Sequence, residues 1–151
     1  MIHSFLIGLV AGARSLTPLA AVSQAARRGG LPADNGAPAI LGHPLVAAGA
    51  RALAAGELWG DKLKSAPDRI VPAGLVVRVA LGGLAGAALA PRRHALLGAA
   101  LGSAAAVGAA YVTFGARVRA MRRFGQTSTG LVEDGLALGA ARAVVRSAAR
   151  A

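Results

Sequence analysis

The sequence predicts an all-α integral membrane bundle of four to five transmembrane helices, and three observations predict it. First, 55% of the 151 residues are hydrophobic and the mean hydropathy is +0.56, above an ordinary soluble domain. Second, residues 95–116 hold no charge and residues 70–90 hold Arg78 alone; each run suffices for the about 20 helical residues that cross about 30 Å of hydrocarbon. Third, the loops are short, so residues 1–151 form a single membrane domain. Alanine and glycine supply much of the average hydropathy, so the uninterrupted runs carry the argument.

Five spans follow in order. Residues 4–26 are apolar except for Arg14, Ser15, Thr17, Ser23 and Gln24. Pro18 follows two hydroxyl residues and removes a helix hydrogen bond, so this first helix is expected to break at Thr17-Pro18. A secretory signal is the alternative for this stretch, but it lacks a basic start and Arg14 interrupts it. Residues 37–60 carry His43, Arg51 and Glu57, residues 70–90 carry Arg78, and residues 95–116 are uncharged. Residues 130–149 are the weakest span. Glu133 and Asp134 stand near its start, where the helix dipole favours them and Thr127, Ser128 or Thr129 can cap. Arg142, Arg146 and Arg150 form an i, i+4, i+8 stripe suited to snorkelling or to the interface.

Each span holds two glycines four residues apart: Gly8/Gly12, Gly56/Gly60, Gly82/Gly86, Gly98/Gly102 and Gly135/Gly139. Such pairs let helix backbones approach closely in lipid. Thin helices packed in this way point to a homo-oligomer. The formal net charge of +11 is dispersed at helix ends, where anionic lipid headgroups are the expected partners. Nucleic acid is not expected, because aromatics make up 3% and the basic residues form no stacking surface. There is no cysteine, which excludes disulfides and thiolate metal sites. The two sides of the bundle carry similar numbers of Lys and Arg, so orientation stays open. The expected location is the plasma (inner) membrane, as a multi-pass protein.

Charge inside the spans marks the candidate site. Three of six acidic residues, Glu57, Asp61 and Asp68, fall in "GELWGDKLKSAPDR", residues 56–69. Glu57 and Asp61 are i, i+4 and share a helix face, with Gly56 and Gly60 on the neighbouring one. An arginine in mid-membrane costs about 2.5–3.5 kcal/mol, so Arg14, in "GARSLTP", needs a partner among Glu57, Asp61, Glu133 and Asp134. The expected arrangement has Glu57 and Asp61 facing Arg14 across a glycine-lined seam, with Glu133 completing a polar site. Arg78 invites the same argument. Carboxylates from two helices could hold a cation or share protons, and which metal, if any, stays open. His3, His43 and His94 sit near termini and prolines and are read as incidental.

"GARSLTPL", "GELWGDKLKSAPDR", Arg78 followed by "GGLAG", and "LVEDGLALG" together resemble the motif series of the DUF4126 family, small bacterial membrane proteins of unknown function. The resemblance spans about residues 8–140, and its G-E-x-x-x-D-K core is the most specific part. It implies polar positions at Arg14, Pro18, Glu57, Asp61, Lys62, Arg78, Glu133 and Asp134. A proline is common in the family where this chain has Lys64. No activity or cofactor comes with the resemblance.

Three functions stay open: a transporter or channel for an ion or small polar solute, with the broken helix and Arg/carboxylate site as its parts; a structural or partner-binding membrane protein whose charges are packing glue; and an intramembrane lipid-headgroup enzyme. The first is expected. No nucleophile, phosphatase or phosphotransferase motif is visible, so an enzyme is not.

Overall fold

A computed structural model describes residues 1–60 and 72–151. Among them are six α-helices: α1 Ile2–Ala13, α2 Leu16–Arg27, α3 Pro44–Gly60, α4 Pro72–Ala88, α5 Ala95–Phe124 and α6 Gln126–Ala148. Short 3-10 turns at Ala39–Gly42 and Arg92–His94 lead into α3 and α5. Pro44 and Pro72 occupy first helical positions, where the missing N–H would have had no partner and the fixed φ is already helical.

Glycine sets the register of the central layer. Gly8 lies against Gly102 and Ala105, and Gly12 against Ala106, Ala109 and Ala110, so α1 runs parallel to α5. Gly82 lies against Gly102 and Ala106, and Gly86 against Gly98, so α4 runs antiparallel to α5. A Cβ on Gly12 would sit 2.5 Å from the Ala106 oxygen, and one on Gly82 would sit 2.9 Å from the Gly102 oxygen. Backbone therefore packs on backbone, and the Ser103 hydroxyl crosses to donate to the Val79 carbonyl at 2.8 Å. The same economy of volume runs through the core, where fourteen of the twenty buried hydrophobic residues described are alanine. By contrast, no described residue lies within 4 Å of a Cβ built on Gly56, Gly60, Gly135 or Gly139. Among the described residues these two pairs do not form the expected seam.

The expected single first span is instead a helical hairpin. Ser4 neighbours Gly98 near the start of α5, and His3 Nε2 is 3.1 Å from Ser147 Oγ near the end of α6. Beyond α2 the chain returns to this same end of the bundle, where the Gly36 N–H donates to the Ala90 carbonyl at 2.9 Å and Gly36 packs on Ala95. The hairpin therefore starts and finishes at one end and turns at Arg14-Ser15. Arg14 is extended (φ −140°, ψ 105°), and Ser15 begins the return. The predicted break at Thr17-Pro18 is thus displaced. Pro18 sits in the first turn of α2, where a proline removes no intrahelical bond.

Other boundaries moved for local reasons. The fourth helix runs eight residues past the expected limit to Phe124, because arginine ends an apolar run without ending a helix; Gly125, at φ +81°, ends it. The last helix begins at Gln126, so Thr127, Ser128 and Thr129 lie inside it and none is its cap. Thr129 Oγ1 donates instead to the Gly125 carbonyl at 2.8 Å. Among the described residues, one continuous helical stretch, Arg92–Phe124, is long and apolar enough to cross a membrane. Ile2–Ala13 and Pro72–Ala88 are apolar but shorter.

Candidate functional site

Two helix ends meet at the hairpin turn, and each is met by a side chain of opposite sign from another helix. A helix C-terminus exposes carbonyls without partners and carries partial negative charge; an N-terminus exposes N–H groups and carries partial positive charge. At the end of α1, Arg78 Nε donates to the Gly12 carbonyl at 3.1 Å. The same guanidinium donates through Nη1 to the Gly74 carbonyl one turn back in α4, at 3.0 Å. At the start of α2, Glu57 Oε1 accepts from the Ser15 N–H at 2.9 Å and from the Ser15 hydroxyl at 2.6 Å, while Oε2 accepts from the Leu16 N–H at 3.0 Å. Glu57 thus caps α2 from α3. No residue within α2 makes a side-chain cap.

Arg14, between these two ends, is the largest fully buried side chain of the described residues. Its Nη2 pairs closely with Asp134 Oδ1 and lies 3.8 Å from Glu133 Oε2. Glu133 also accepts from Arg117 Nη1 at 3.2 Å. The charges therefore alternate in space from Asp134 through Arg14 and Glu133 to Arg117. A buried pair of this kind barely repays its desolvation, yet losing one partner leaves the other charge stranded at a cost of several kcal/mol. The outer end of the chain is not sealed. Arg117 and Glu133 line a cleft of about 670 Å³ between α1, α5 and α6, whose other walls include Val10, Val132, Leu136 and Phe124.

Five of the seven expected charged residues, Arg14, Glu57, Arg78, Glu133 and Asp134, converge on the hairpin turn. Asp61 and Lys62 lie outside the described residues, so their expected part in the site has no geometry here. The pairing differs in detail from expectation. Glu57 serves the backbone beside Arg14, and Asp134 takes the ion pair. Of the expected break residues, Thr17 and Pro18 are both buried in the first turn of α2. Ser15 and Arg117 were missed. A serine before an apolar run is a helix-start signal, which points at Ser15; Arg117 directly follows the uncharged run 95–116, so hydropathy alone places it outside the span. Among the described residues no three His, Asp or Glu gather as a metal set. His43 Nδ1 accepts from the Leu45 N–H at 3.3 Å, a local turn contact.

No protein-family model, curated protein or solved structure matches the chain.

Proposed function

We propose that the chain is an integral membrane protein that passes an ion or small polar solute along the charge chain at the hairpin turn. The supporting observation is an inverted distribution of polarity. The buried set includes Arg14, Ser15, Thr17, Ser23, Arg78 and Asp134, while Leu45, Val76, Leu96, Val112 and Leu136 each expose two thirds or more of their surface. Water favours the opposite arrangement; lipid favours this one. In this reading α3 and α4, at 17 residues each, reach about 25 Å, slightly short of the layer, which thins to meet them. The legs α1 and α2, at 12 residues each, reach about 18 Å. They enter and return, and α3 to α6 cross.

Helix ends at depth, charged residues beside them and irregular backbone only where protein surrounds it are the parts from which membrane transport sites are made. Two expected outcomes test the reading. Alkaline carbonate should leave the protein in the membrane pellet; full release without detergent would remove the membrane premise. In proteoliposomes, Glu57→Gln should keep the melting temperature within a few degrees while ion or solute flux collapses. The second reading, that the cluster is packing glue, draws on its balance: Arg14, Arg78 and Arg117 stand against Glu57, Glu133 and Asp134. Glue predicts the reverse result, a lower melting temperature for Glu57→Gln and no wild-type flux to lose.

A further inference from the structure

A second concavity, about 720 Å³ in volume, lies over α2 between α3 and α6, and no residue of the Arg14 charge chain lines it. Five arginines do: Arg28 beyond α2, Arg51 in α3, and Arg142, Arg146 and Arg150 along and just past α6. No acidic residue lines it, and none of the five guanidiniums has a hydrogen-bond or ion-pair partner among the described residues. Apart from Thr17 and Gln24 the rest of the lining is apolar, with Ala20, Ala54, Ala141 and Val145 leading to Leu58 and Leu138.

Helix dipoles explain part of this charge. Arg28, Arg146 and Arg150 sit at helix C-termini, where a cation is favoured by about 0.3–1 kcal/mol. They do not explain Arg51, in the middle of α3, nor the stacking of Arg142, Arg146 and Arg150 at four-residue intervals, where each like-charge pair costs about 0.2–0.5 kcal/mol. A concave, low-dielectric wall focuses such a field on whatever enters it. Two polar atoms on the floor are also left over. Thr17 Oγ1 and Gln24 Oε1 are buried without a hydrogen-bond partner among the described residues, and Thr17 is 2% exposed. Leaving such atoms unpaired costs about 1–3 kcal/mol each.

We infer that this groove holds one anionic phospholipid, with its phosphate among the five arginines and an acyl chain on the alanine and leucine floor. A free phosphate would satisfy the arginines and leave that floor wet; a lipid covers both. The Thr17 hydroxyl can donate to an ester carbonyl, and Gln24 Oε1 can accept from a headgroup hydroxyl, which favours a glycerol-type headgroup. The inference rests on the membrane reading above.

The test uses the purified full chain in dodecyl maltoside, titrated with dioleoyl phosphatidylglycerol, dioleoyl phosphatidylcholine or inorganic phosphate, and read by native mass spectrometry and melting temperature. Phosphatidylglycerol should bind one copy per chain, about tenfold or more tighter than phosphatidylcholine, given roughly 1 kcal/mol per basic residue near an anionic headgroup. Arg51→Gln/Arg142→Gln/Arg146→Gln should erase that preference, whereas the corresponding triple lysine variant keeps most of it. Arg92→Gln/Arg93→Gln, at the same end of the bundle but outside the groove, should change it by less than about twofold. Should the triple glutamine variant not fold, Ala55→Trp, which fills the groove without touching its charge, should lower lipid binding by a similar factor. Equal binding of the two lipids overturns the inference, as does an equal loss in Arg92→Gln/Arg93→Gln or unchanged binding in Ala55→Trp. Inorganic phosphate that stabilises as well as phosphatidylglycerol would identify a free-anion site instead and overturn the lipid. Release by carbonate defeats the membrane reading; a carbonate-resistant chain without lipid preference defeats only this site.

Discussion

Replacing Arg14 by glutamine should destabilise the folded protein by about 3–5 kcal/mol, the range measured when one member of a buried ion pair is removed. The guanidinium is 1% exposed, and Asp134, 7% exposed, pairs with it directly. Without Arg14 the Asp134 carboxylate stays in a packed interior with its main counter-charge gone, and Glu133 keeps only the Arg117 side of its bridge. The double variant Arg14→Gln/Asp134→Asn removes both charges and should recover about 1–3 kcal/mol of the loss, the coupling expected of contacting residues in one network. Thermal or denaturant melts of the single and double variants in one detergent measure both terms. A single-variant loss below about 1 kcal/mol would falsify the buried pair, because that is the scale of an exposed one.

Gly102→Leu should prevent α1, α4 and α5 from assembling at all. A Cβ at this position meets the Gly82 carbonyl oxygen directly and lies 3.1 Å from the Gly86 Cα, while the Gly102 backbone is itself the wall against which Gly8 packs. Overpacking commonly costs about 1–3 kcal/mol when side chains can shift. Here the opposing atoms are main chain, so three helices have to separate before a leucine fits. Gly108→Leu on the same helix is the matched control. Nothing lies within 4 Å of its added Cβ, and leucine has the higher helix propensity by about 1 kcal/mol, so stability should hold or rise. The yield of folded, monodisperse protein reads the contrast. Equal yields for the two variants would show that the glycine seam does not hold the bundle together.

The residues reveal the helical content and the central seam more readily than the hairpin. Apolar runs locate α4 and the first two thirds of α5 because length and hydropathy are local quantities. The turn at Arg14-Ser15 is not local. Its stability comes from Arg78 on α4, 66 residues from Gly12, and from Glu57 on α3, 42 residues from Ser15, whereas the conspicuous local breaker, Pro18, falls where a helix tolerates proline. The charged cluster was legible from cost alone, since buried arginines require carboxylates and few were on offer. Which carboxylate meets which group was not legible. That depends on the axial register of α1 against α5 and α6, fixed by Gly8 and Gly12 settling on Gly102 and Ala106. The five glycine pairs look equivalent in sequence, and only the facing surface separates the three packed pairs from the two open ones.

The parallel contact of α1 with α5 also sets a clock on biosynthesis. The groove that receives Gly8 and Gly12 is built from residues near 102–110, and the carboxylate that neutralises Arg14 is at position 134. A ribosome adding about 5–20 residues per second needs roughly 6–24 s to travel from Arg14 to Asp134. Through that interval the nascent hairpin has its arginine but not its counter-charge, and its glycine face but not the helix that fills it. The hairpin therefore cannot take up its final packing until α5 and the start of α6 have been made.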